Sequence, residues 1–102
     1  MSVVFFTRVI EKKPTFAEAW NKRATVYYML GRFDKSMFDI NETLKLEPRH
    51  FGAMDGMVLI LLHQQEYEKA IEVYEQILKI FPKSKYILEK KERLADYITK
   101  SA

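Results

Sequence analysis

Two histidines, His50 and His63, are the first residues to test for chemistry, since an imidazole can act as a general base or a metal ligand near neutral pH. They stand 13 residues apart, with no partner one helical turn away and no HExxH context that would complete a zinc site. Their spacing marks them as turn or surface residues. The carboxylates Asp34, Asp39, Glu42, Glu66, Glu68, Glu72 and Glu75 are interleaved with lysines along helix-like stretches, the pattern of a solvated face rather than of an acid–base pair. Cysteine is absent, which removes disulfides and thiolate metal sites. Gly31, Gly52 and Gly56 are too scattered to form a phosphate-cradling loop. The expectation is a chain that is not an enzyme and takes no cofactor and no metal.

Aromatic rings beside basic residues raise a second chemistry, the stacking of single-stranded bases. Trp20, Tyr27, Phe33 and Tyr74 nevertheless fall at places that a periodic apolar core requires. The formal charge of +3 is dispersed rather than gathered in a basic stripe, so nucleic acid is not an expected partner. Tyr28, next to Met29, lies off the core stripe and remains available for contact.

The elements that must position these residues are set by a repeat. Pro14, Pro48 and Pro82 each stand 34 residues from the next. The same period places Ala19 on Ala53, Phe33 on Tyr67, Lys35 on Lys69, Leu44 on Leu78 and Leu46 on Ile80. A period in the range of about 20–50 residues is the signature of a solenoid, in which each unit covers its neighbour's apolar face. Within one period, Phe16, Ala19, Trp20, Ala24, Tyr27 and Leu30 step by threes and fours, as one stripe of a helix does. Gly31 suits the left-handed turn that ends that helix. A second stripe, Phe33, Met37, Ile40, Leu44 and Leu46, runs to the stop at Pro48.

This unit resembles a tetratricopeptide repeat. Trp20 and Tyr27 have the family's spacing, Arg23-Ala24 stands where Leu-Gly is usual, Ser36 where Ala is usual and Ile40 where Phe is usual, and Pro48 closes the unit. The second copy has Met54, Met57-Val58 and Leu61 in its first half, then matches with Tyr67, Ala70, Tyr74 and Pro82. The resemblance implies an all-α helical-hairpin solenoid, an α-α superhelix of about two full repeats with a flanking helix at each end. Residues 15–48 are expected to form the first repeat and 49–82 the second. Residues 2–13 read as the second helix of an incomplete repeat, because Phe6, Val9 and Ile10 align with Ile40, Thr43 and Leu44. Residues 84–99 read as a capping helix with Ser84 at its start and polar residues around its apolar stripe. Together these make one domain over 1–102, with Met1, Ser101 and Ala102 expected to be loose. Trp20 is expected in the core, and Glu75 is expected to pair with Lys79 one turn on.

Val3-Val4-Phe5-Phe6 lacks the charge-first pattern of a signal peptide and is far too short to span a bilayer. A membrane partner is not expected, and a cytoplasmic setting fits the cysteine-free composition. The function implied by the resemblance is that of a protein-interaction scaffold whose first helices line a groove for a peptide or partner helix. Asn21, Thr25, Tyr28 and Met29 map there from the first repeat, and Asp55, Leu59, Leu62 and His63 from the second. Glu89 and Arg93 map there from the last helix. At the places where the family's carboxylate-clamp members carry lysines, asparagines and an arginine, this sequence has Asn21, Thr25, Gly56, Glu89 and Arg93, so only the arginine is kept. A ligand with apolar anchors is expected instead. The alternative is a self-assembling module joined through exposed apolar residues of the N-terminal helix, Val4 and Phe5, or a fragment of a longer repeat array.

Overall fold

The computed structural model describes residues 2–101. These residues form six helices and no strand: α1 (Val3–Lys12), α2 (Ala17–Met29), α3 (Phe33–Leu46), α4 (Phe51–His63), α5 (Tyr67–Ile80) and α6 (Lys85–Ser101).

Local chemistry explains the boundaries. Ser2 caps α1, its hydroxyl accepting the Phe5 amide at 3.3 Å, and Ser84 caps α6 by accepting the Ile87 amide at 3.3 Å. The turns after α2 and α4 are the same device at places 34 residues apart. Gly31 and Gln65 both take a left-handed backbone, with φ of 74° and 60°. The amides of Arg32 and Glu66 then return to the carbonyls of Tyr27 and Leu61, each at 2.8 Å, and satisfy helix-end acceptors. Glycine takes this conformation without steric cost, whereas a glutamine there is strained.

The chain resolves into two compact units, one ending at Ile60 and one beginning at Leu61. In the first, α2 packs on both α1 and α3. Ala24, Ile40, Ala53 and Ile60 form its buried cluster, flanked by Tyr28, Phe33, Met37, Leu44 and Met57. In the second, α5 packs on α6 and buries Ala70, Tyr74, Ile77 and Ile87. Tyr67 and Tyr97 meet edge-on, their ring centroids 5.3 Å apart.

The structure corrects four expectations. Asp39 is 0% exposed rather than on a solvated face, because Arg23 neutralises it. Trp20 is half-buried rather than a core ring; its indole N–H donates to the Pro14 carbonyl at 2.8 Å, which holds the ring at the edge of the hairpin. Glu75 reaches Lys91 of α6 at 3.4 Å. The last helix continues through Ser101, while Met1 and Ala102 lie outside the described residues.

Candidate functional site

The first unit contains a cleft of about 120 Å³ between α2 and α4. Asn21, Ala24, Thr25 and Tyr28 of α2 form one wall, and Gly52, Asp55, Gly56 and Leu59 of α4 form the other. Ser36 and Ile40 of α3 close the floor. Two of the hydroxyls are committed internally: Thr25 donates to the Asn21 carbonyl at 3.1 Å and Ser36 to the Ala24 carbonyl at 2.7 Å. The lining contains one carboxylate, Asp55, and no lysine or arginine.

The cleft is open because two side chains are missing from one face of α4. Gly52 and Gly56 are four residues apart, so they lie one above the other on a helix. The matching places in the other first-type helices carry long side chains, Glu18 and Lys22 in α2 and Tyr86 and Lys90 in α6. A glycine inside a helix costs about 1 kcal/mol relative to alanine. Neither of these has the positive φ that would require glycine. A Cβ added at Gly56 would meet Ile40 Cδ1 at 3.4 Å, an ordinary contact. Backbone geometry and packing therefore do not account for the glycine at 56.

The wall supplied by α2 is held by one guanidinium. Arg23 Nε and Nη2 donate to the two carboxylate oxygens of Asp39, each at 2.8 Å, and Nη1 donates to Thr7 Oγ1 at 3.0 Å. One side chain thus joins α1, α2 and α3. Its charge also lies 5.3 Å from the Trp20 ring centroid and 5.7 Å from that of Tyr27, within cation–π range. The hydrogen bonds to Asp39 raise the Arg23 pKa above its ordinary value against the opposing effect of burial.

His50 fixes the start of α4, the helix that forms the second wall. Its Nδ1 accepts the Ala53 amide at 3.0 Å, so the imidazole is the N-terminal cap of α4. Its Nε2 lies 3.4 Å from Glu18 Oε2, and an Nε2–H tautomer satisfies both contacts at once. The sequence signal was available, since a polar side chain three residues before a helical amide is a capping position. The Arg23–Asp39 pair also left a trace. At the matched places the other copies carry Met57 and Lys91 for Arg23, and Phe5 and Val73 for Asp39, so Asp39 puts a charge where both other copies are apolar.

Among the residues expected to bind, Asn21, Thr25, Tyr28, Asp55 and Leu59 come together in this cleft. Met29 is 72% exposed at the end of α2 and does not line it. Leu62, His63, Glu89 and Arg93 belong to the second unit, where Leu62 is half-buried and the other three are exposed. Val4 and Phe5 are 58% and 51% exposed. Phe5, Phe6, Val9, Phe16 and Ala19, with the stems of Glu18 and Lys22, border a second hollow of about 240 Å³ against α1. Among the described residues, no group of His, Asp and Glu side chains is placed to hold a metal ion, and no helix is long and apolar enough to cross a membrane.

Models of the family described as tetratricopeptide repeat match residues 17–50 and 53–84. A TPR repeat-containing protein of Rhizobium etli is 39% identical over 92 residues, covering 90% of this chain and 45% of that protein. Hsp70-Hsp90 organizing protein 3 of Arabidopsis thaliana is 27% identical over 101 residues, covering 99% of this chain and 18% of that protein. The chain thus spans less than half the length of these two relatives. Among solved structures, the first TPR of Spaghetti (RPAP3), bound to the HSP90 peptide SRMEEVD, superposes with a TM-score of 0.80 at 18% identity. That match covers 95% of this chain and 79% of the other. The Arabidopsis OM64 TPR domain gives 0.78 at 20% identity, covering 90% of this chain and 76% of that one. The six helices, the 34-residue period and these matches agree: the chain is an all-α protein of the tetratricopeptide repeat family.

Proposed function

We propose that this chain is a non-catalytic protein-interaction module that receives a peptide or partner helix on its first-type helices. The observation that carries this reading is the cleft between α2 and α4, an apolar recess opened by two glycines within a helix. The peptide-bound structural neighbour and the organizing-protein relatives support a peptide ligand in general. They do not extend to an acidic C-terminus, because the clamp positions here read Asn21, Thr25, Gly56 and Glu89, with Arg93 alone in keeping. Leu62, His63, Glu89 and Arg93 are a separate candidate contact set in the second unit. A cytoplasmic location, with neither nucleic acid nor membrane as ligand, belongs to the same proposal. The test is an array of 15-residue peptides probed with the purified chain. Reproducible capture of a subset that Leu59→Glu abolishes supports the reading, and no capture at all overturns it.

A second reading rests on Val4 and Phe5. Exposed apolar residues bordering a hollow mark an interaction surface, and a second copy or the remainder of a longer repeat protein could cover it. Light scattering over a concentration series tests the homotypic form. Mass that rises with concentration and falls back with Phe5→Glu supports it, and a monomer unchanged by Phe5→Glu removes it.

A further inference from the structure

We propose that the α2–α4 cleft selects a single aliphatic side chain of leucine or methionine size, on a ligand segment without acidic groups, and that Gly56 sets this selection; the proposal rests on the interaction-module reading above. Size is the first argument. A cavity of about 150 Å³ takes a benzene ring, so a cleft of about 120 Å³ fits a four-carbon chain better than an indole. Ile40 at its floor and Ala24, Tyr28 and Leu59 in its walls give the anchor carbon to meet, and the Ser36 hydroxyl beside Ile40 is taken up by the Ala24 carbonyl.

Charge is the second argument. No cation lines the recess, and the Thr25 and Ser36 hydroxyls donate to carbonyls of the chain itself. A carboxylate entering here would lose its hydration without meeting a cation in return. The Asn21 side-chain amide in the lining offers both a donor and an acceptor to a ligand peptide bond. The glycines are the third argument. The repeat register would put long side chains at Gly52 and Gly56, as it does in α2 and α6, and their absence is what creates the space.

Amide chemical-shift titration with acetylated and amidated Gly-Ser-X-Ser-Gly pentapeptides tests the proposal, with X as Leu, Met, Ala, Trp or Glu. The Leu and Met probes are expected to shift the amides of Ala24, Gly52 and Gly56, with dissociation constants at least about tenfold below those of Ala and Trp. The Glu probe is expected to leave those amides unmoved. Gly56→Ala is expected to raise Tm by about 4–8 °C while weakening the Leu probe about tenfold, because one methyl group enters the space the anchor needs. Gly56→Leu fills the space and should end binding; if that variant does not fold, Gly56→Ala still decides the matter. Equal response to all five probes, preference for Glu, or undiminished Leu binding in Gly56→Ala overturns the proposal. Peptides captured on the array without this preference would overturn the anchor assignment and leave the module reading standing.

Discussion

Arg23 and Asp39, sixteen residues apart and on adjacent helices, form a bidentate ion pair whose carboxylate is fully buried. A buried pair is a weak source of net stability, because desolvation of both charges offsets their attraction. Removing one partner is different, since it strands the other charge in the interior. Asp39→Ala is expected to cost about 3–5 kcal/mol. The double variant Arg23→Met, Asp39→Val places at both sites the residues that the second repeat carries there, and it should recover most of that loss. Urea unfolding of the two singles and the double gives the coupling. Because the Arg23 pKa is shifted upward, its contribution is fully present below the ordinary arginine value and is lost only above it. Stability should therefore show no Arg23-dependent fall between neutral and moderately alkaline pH.

The fold was legible because its signals are repeated. The prolines, the helix stripes and the turn at Gly31 recur at one period, so each copy checks the other. What the stripes could not give was the partner of a polar residue. Spacing groups Asp39 with the other carboxylates, because its pairing with Arg23 crosses from α3 to α2, a tertiary fact that helical spacing does not contain. Half of the expected contact residues gather in one cleft because they lie on the faces of α2 and α4 that the register brings together. The role of Gly52 and Gly56 is not legible in α4 alone, because an absent side chain carries no pattern of its own until it is compared with Glu18 and Lys22.

Gln65 holds a left-handed conformation where the preceding repeat has Gly31. Gln65→Gly should stabilise the chain by about 1 kcal/mol, and Gly31→Ala should destabilise it by a similar amount. Thermal unfolding followed by far-UV circular dichroism reads both, with shifts of opposite sign expected. A loss of stability in Gln65→Gly would mean that contacts of the glutamine side chain outweigh the backbone strain.

The His50 imidazole accepts the Ala53 amide as the cap of α4. His50→Ala should lose about 1 kcal/mol, and His50→Asn should restore most of it by supplying another acceptor without an imidazole. Hydrogen exchange at Ala53 and Met54 should quicken in the alanine variant and return toward the parent rate in the asparagine variant.

Trp20 combines a half-buried ring with a hydrogen bond to Pro14. Trp20→Phe keeps most of the ring contact and should cost about 1 kcal/mol, the worth of the lost hydrogen bond. Trp20→Ala should cost roughly 3 kcal/mol, at the low end for a large aromatic truncation because the site is not fully enclosed. Equal losses in denaturant titrations of the two variants would assign the stabilisation to the N–H rather than to the ring.

The most direct measurement is an amide chemical-shift map of the chain with the tightest-binding array peptide, taken alongside Leu59→Glu. Leu59 lines the cleft yet is 41% exposed, so the charge should abolish binding while moving Tm by only a few degrees. The account predicts shifts concentrated at Asn21, Ala24, Thr25, Tyr28, Gly52 and Gly56, and their disappearance in the variant. Shifts centred instead on Val4, Phe5 and Phe16, or binding that survives Leu59→Glu, would contradict it.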